Sequence, residues 1–137
     1  MKTSYPTMAT ADEIIQTARS YIGVPFRHMG RSRNGIDCAG LVVCVCRDLE
    51  ISVVDIPRYG RQPLGGMLEQ VVRQTFIETS SVEPGTLLVM RFASEPQHMA
   101  IYTGDTIIHS YERVGKCVEH RLDSVWHRRI VSTYRFP

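Results

Sequence analysis

The sequence predicts an α+β fold, helices first and an antiparallel sheet second, and two contrasting textures of the chain carry that reading. Before residue 80, apolar residues recur at helical spacing or run continuously; from Pro84-Gly85 onward, short strand-like runs alternate with turn signals. The 137 residues, 43% hydrophobic and 22% charged, are enough for one buried core and too few for two ordinary domains. A single domain over residues 10–137 behind a flexible leader, residues 1–9, is expected.

Thr10 or Asp12 caps a first helix that runs to about Ile22, with Ile14, Ile15, Ala18, Tyr21 and Ile22 on one side. Gly23-Val24-Pro25 ends it, and residues 26–35 have no period, so they form an ordered loop closing on Asn34-Gly35. Asp37 is a good N-cap for a helix beginning at Cys38. The run after Cys38 is too continuously apolar for period alone to choose helix from strand; its length favours a buried helix of about twelve residues, its valines and cysteines a strand. A loop rich in Pro, Gly and Arg over residues 55–66 leads to a second amphipathic helix through Met67, Leu68, Val71, Val72 and Phe76. Five strands are expected at residues 86–92, 98–103, 106–111, 117–122 and 130–136. Turns at Ser94-Glu95-Pro96, Gly104-Asp105 and Val114-Gly115 make them an antiparallel meander.

Composition removes several classes of function. No run of about 18 apolar residues exists to cross a membrane as a helix, and residues 1–20 carry Asp12 and Glu13 where a secretory signal needs an apolar segment. The net charge of +2 is too small to argue for nucleic acid, and no aromatic and basic stripe offers a stacking platform, although fourteen arginines stand against two lysines. The four cysteines read as reduced. Cys44 and Cys46 lie in the apolar run as small buried hydrophobes, and no second pair at zinc spacing completes a metal site. Neither a metal nor another cofactor is expected.

The chemistry concentrates at Cys38, His98 and His109. A thiol at a helix N-terminus sits among free N–H groups and the positive end of the helix dipole, which favour the thiolate a nucleophile needs. His98, at the start of a strand, is the candidate base, and a histidine contact would favour the thiolate further. A base needs a third group to hold its orientation, and His109 is the candidate across the Gly104-Asp105 hairpin, provided that the register puts both rings on one face. His28, ten residues before the thiol, is a site-lining candidate, whereas His120 and His127 read as surface residues among Arg and Glu.

With these residues in view, the chain resembles the NlpC/P60 cysteine peptidases, a papain-like superfamily of cell-wall hydrolases. The resemblance rests on residues 21–26, on Asn34-Gly35-Ile36-Asp37-Cys38-Ala39-Gly40-Leu41, on Pro84-Gly85-Thr86, on His98-Met99-Ala100-Ile101-Tyr102-Thr103-Gly104 and on Ile108-His109-Ser110. It implies the papain-like fold and a thiol peptidase acting on the stem peptides of peptidoglycan, at a bond between D-glutamate and a diamino acid. Cys38 is then the nucleophile, His98 the base and His109 the orienting residue, with the oxyanion held by the Cys38 N–H and a donor from residues 26–35. Arg31, Arg33 or Arg58 would hold substrate carboxylates. Pro25-Phe26-Arg27-His28, Gly30-Arg31-Ser32-Arg33, Pro96-Gln97-His98 and Val118-Glu119-His120-Arg121-Leu122 bring the likeness nearest to small phage-tail and gene-transfer-agent peptidases. That implies tail-tip or hub partners and a chain made without a signal peptide, carried on a virion tail and acting at the bacterial cell wall or in the periplasm.

Two departures stand out. Phe26 replaces the usual Tyr after the loop proline, and Met29-Gly30 replaces a usual Gly-Gly. Two other readings remain beside the peptidase: a tail-tip structural or assembly protein on the same scaffold with weak or no activity, and a thiol amidase or acyltransferase with another substrate.

Overall fold

The computed structural model describes residues 8–57, 59–60, 66–92 and 96–137. The first seven leader residues, Arg58, residues 61–65 and the Ser94-Glu95 turn lie outside the described residues. Helix α1 (Ala11–Arg19) starts at Thr10, whose hydroxyl accepts from the Glu13 N–H while the Glu13 carboxylate accepts from the Thr10 N–H. It buries Ile14, Ile15 and Ala18 and ends before Ile22, because the chain tightens into three-residue turns (Tyr21 N–H to Ala18 O, Ile22 N–H to Arg19 O) ahead of Gly23 at φ 92°. Residues 23–26 then run along a later strand, bonded to Gly115 and Cys117.

The expected loop over residues 26–35 contains a small hairpin, β1 (Arg31–Ser32) and β2 (Gly35–Ile36), turning at Arg33-Asn34. Helix α2 (Cys38–Asp48) comes next, and every residue from Ala39 to Cys46 is buried. A helix enclosed on all sides shows no amphipathic period, which is why its apolar run also suited a strand. Gly40 in its first turn has a packing reason to be glycine: a Cβ there would lie 2.1 Å from the Gly30 carbonyl oxygen. Helix α3 (Met67–Thr75) is one residue shorter than expected; Phe76 leaves it to pack edge-on against Phe136, with ring centroids 5.0 Å apart.

An unforeseen short strand, β3 (Ile77–Thr79), precedes β4 (Leu87–Arg91), β5 (Pro96–Tyr102), β6 (Thr106–Tyr111), β7 (Lys116–Arg121), a one-turn helix α4 (Ser124–His127) and β8 (Ile130–Arg135). The six-stranded sheet has the order β3-β8-β4-β5-β6-β7. From β4 to β7 it is the expected meander. The last strand departs from it: β8 returns to insert between β3 and β4, Tyr134 beside Leu87, and so pairs the second edge of a β4 buried at every position but the last.

Side chains alternate between two apolar layers. Leu87, Val89, Met99, Ile101 and Ile108 join the helices in the main core; Leu88, Met90, Ala100 and Ile107 form a second layer, against which Trp126 of α4 packs. The register between β5 and β6 positions the site. These strands pair only at Ile101↔Ile108 and Tyr102↔Ile107, and the ladder stops there. Past that point the N-terminus of α2 reaches the vacated edge of β5, and the Ser110 hydroxyl of β6 donates to the Ile36 carbonyl at 2.7 Å. Among the described residues no helix is long and apolar enough to cross a membrane.

Candidate active site

Cys38 is the first residue of α2, and Asp37 is its N-cap, accepting from the Gly40 N–H at 2.8 Å. The thiol contacts β5, donating to the Gln97 carbonyl at 3.9 Å. Its ionisation differs from the sequence expectation. Burial pushes the thiol up to about 12, the Asp37 carboxylate adds to the rise, and the backbone donors of Met99 and Ala39 only oppose it. The helix N-terminus is present, but desolvation of the sulfur outweighs it, so the resting group is a neutral thiol.

The register answers the question of a shared face. With Ile101 opposite Ile108, the even residues of β5 and the odd residues of β6 lie on one face, so His98 and His109 meet there. His98 Nε2 and His109 Nδ1 are 2.6 Å apart. Beyond them the structure adds a residue that the sequence reading placed on the surface: His120 Nε2 lies 2.8 Å from His109 Nε2, and His120 Nδ1 lies 3.0 Å from the Arg121 carbonyl. A signal for it existed, because the Val114-Gly115 turn pairs His109 with Val118 and leaves His120 diagonal to it on the same face. Trp126 packs against all three imidazoles, and Tyr111 stacks on His109 at 20° between planes.

This enclosure sets the charge state. Burial, and after it His109, Arg129 and His120, holds His98 well below the usual imidazole range; burial and then His120 lower His109 to about 3. Both rings are therefore neutral in the fold, while the unfolded chain protonates them near about pH 6.5. Stability is thus full above that value and falls as the pH drops, since only the unfolded state takes up the protons. His109 alone removes about 2 kcal/mol between about pH 6.5 and about pH 5. Thermal melts at the two pH values should show a lower midpoint in acid; equal midpoints would contradict the neutral, buried pair.

The wall beside the thiol is built on Asp37. Its carboxylate accepts from the N–H groups of Gly40 and Met29, each at 2.8 Å, from Arg31 Nη1 at 2.9 Å and from the Tyr59 hydroxyl. Met29 sits at φ 63°, the left-handed region that glycine enters freely, which gives a local reason for the Gly-Gly expected here; its N–H bond to Asp37 holds the conformation.

Arg31 does not serve as the expected clamp for substrate. All five of its N–H donors are taken, by Asp55, Gly30 O, Asp37 and Tyr59. Arg33 is also turned away from the site: it bonds Ser20 and Asp48 and lies 4.0 Å over the Tyr21 ring. Arg58 lies outside the described residues.

A cavity of about 420 Å³ opens over the thiol, and Cys38, Asp37, Phe26, His28 and His98 all line it. Tyr59, Phe92 and Tyr111 line it too, and sequence reasoning singled out none of them; Arg113 is a further lining residue. His28 Nε2 donates to the Tyr59 carbonyl at 3.1 Å, which fixes one wall. Among the described residues no group of His, Cys, Asp and Glu is placed to hold a metal ion.

A thiol, a neutral imidazole and a cavity lined by both apolar and polar side chains can take a peptide carbonyl and exchange its amide for a thioester. Comparison with known proteins sets this geometry in a lineage. The chain is 31% identical over 111 residues to the probable endopeptidase NlpC of Escherichia coli, covering 79% of this chain and 66% of that protein. Other curated relatives are spanned over about half of their length or less, among them two Corynebacterium glutamicum proteins at 51%. An NlpC/P60 family protein from Bacillus cereus superimposes with a TM-score of 0.70 at 23% identity, over 96% of this chain and 41% of that one. The peptidoglycan hydrolase RipB of Mycobacterium tuberculosis does so with 0.64 at 21% identity, over 91% and 63%. The family profile itself matches residues 23–135, a stretch that holds the thiol, the three linked histidines and the whole sheet, and on that match the chain belongs to the NlpC/P60 family.

Proposed function

We propose that this chain is a cysteine peptidase that hydrolyses an amide bond in peptidoglycan stem peptides, with Cys38 as nucleophile, His98 as base and His109 as the residue that orients it. The observation that carries the reading is that the Cys38 thiol and His98 line one cavity while His98 is bonded to the buried His109. The names of the relatives, an endopeptidase and a peptidoglycan hydrolase, support the substrate class.

His98 Nε2 is committed to His109, so Nδ1 is the nitrogen that takes the thiol proton. Because thiol and imidazole are both neutral at rest, the proton moves as the sulfur attacks, by general-base catalysis, and no standing thiolate is required. The new S–C bond makes a tetrahedral oxyanion, held by the Cys38 N–H and a donor from the loop before it. Its collapse breaks the C–N bond, and the His98 proton leaves with the amine. Water then attacks the thioester, gives its proton to His98 and releases the acid, and the proton returns to sulfur.

The bond cut is the one between D-glutamate and a diamino acid, and the protein works at a phage or prophage tail tip, the setting that the loop segments around Phe26 and Gly30 and the β7 segment resemble. Mass spectrometry of muropeptides after incubation with the protein should show fragments with a new amine on the diamino acid. Intact stems would overturn the peptidase and leave a structural tail-tip protein on the same scaffold. Cleavage at another amide would move the bond and keep the enzyme.

A further inference from the structure

Three linked histidines end on a single backbone atom, the Arg121 carbonyl oxygen. The Arg121 carbonyl can only accept, so the His120 Nδ1 facing it at 3.0 Å carries the hydrogen. With its hydrogen on Nδ1, the His120 ring offers Nε2 as the acceptor for the His109 Nε2–H at 2.8 Å. His109 in turn has a bare Nδ1, which accepts from the His98 Nε2–H at 2.6 Å. His98 is left with a bare Nδ1, the state a base must be in before it can take a proton. The reverse arrangement would set a lone pair of His120 against the lone pairs of the carbonyl. His109 alone cannot make this choice, since a neutral imidazole serves equally well either way round.

We infer that His120 is a positioning residue: through His109 it transmits the polarity of the Arg121 carbonyl to His98 and fixes the base in its working tautomer. The inference rests on the reading of His98 as the base. His120 is suited to the task by its placement, diagonal to His109 across β6 and β7 and held against Trp126 at 5.2 Å between centroids.

The test uses the whole chain with ¹⁵N-labelled histidine, and two-bond ¹H–¹⁵N spectra of the resting protein. His98 and His109 should both carry the hydrogen on Nε2, and His120 on Nδ1. His120→Lys supplies a donor where the chain needs an acceptor, so it should move the His98 hydrogen to Nδ1 and lower kcat on stem peptides about 10²-fold, with KM little changed. In His120→Gln the amide oxygen can accept from His109 and should keep both the tautomer and kcat within about threefold of wild type.

The inference is overturned if the wild-type His98 carries its hydrogen on Nδ1, or if His120→Lys leaves the His98 tautomer unchanged. Equal losses in the Lys and Gln variants also overturn it, since packing against Trp126 would then be what matters. A wild-type protein without turnover would defeat the peptidase reading alone, because the tautomers are read without substrate.

Discussion

Cys38→Ala should abolish turnover of stem peptides, by about 10⁴-fold or more, while leaving the protein folded. The two halves of that result have separate causes. Sulfur is the only atom at the site that can form the thioester, and His98, deprived of a proton to take, has only water to activate, so the residual rate reflects positioning alone. The fold does not need the sulfur: α2 is started by Asp37, and the sulfur's hydrogen bond to Gln97 is long, at 3.9 Å. The melting midpoint should therefore correspond to a stability change of about 1 kcal/mol or less. A matched pair of assays, product by mass spectrometry and unfolding by heat, reads both. Activity that survives the substitution would remove Cys38 from the mechanism.

What the sequence disclosed and what it withheld divide along the range of the interactions. Asp37 before Cys38 marks a helix start because an N-cap is a local device, and the Gly104-Asp105 turn brings His98 and His109 together because a hairpin converts short sequence separation into contact. The same counting, carried through the next turn, reaches His120. Reading the Arg and Glu around it as surface stopped that step, although Glu119 points the other way and bonds Arg19 of α1. Arg31 looked like a clamp for substrate because it stands in the loop before the thiol; its partners Asp55 and Tyr59 lie 24 and 28 residues further on, where no local pattern announces them. Desolvation was the least legible quantity. A helix N-terminus can be read from Asp37, but the packing that raises the thiol above its ordinary range comes from atoms scattered across the fold. The return of β8 between β3 and β4 belongs to the same class, since nothing near residue 130 names its partner strands.

The largest loss of stability should come from Asp37→Ala, at about 3–5 kcal/mol in denaturant unfolding. The carboxylate is buried, with side-chain exposure of 5%, and faces an Arg31 guanidinium that is itself only 16% exposed. Removing it strips the cap from α2, leaves the Met29 N–H and the Tyr59 hydroxyl without their acceptor, and unbalances the Arg31 charge, for which Asp55 remains the other partner. Much of the loss is thus the cost of stranded partners, and a second substitution can separate that part. Arg31→Met in the Asp37→Ala background should cost clearly less than the two single changes added together, because the charge that the first change left uncompensated is gone. Simple additivity would mean that the two side chains stabilise the fold independently, and a loss under about 1 kcal/mol for Asp37→Ala would mean that the network does not hold the loop. The same carboxylate ties the loop that carries Met29 to the helix that carries the thiol, so Asp37→Ala should also lower kcat at temperatures where the variant is still folded. A reacting sulfur displaced by about 1 Å is enough to slow attack about 10²-fold.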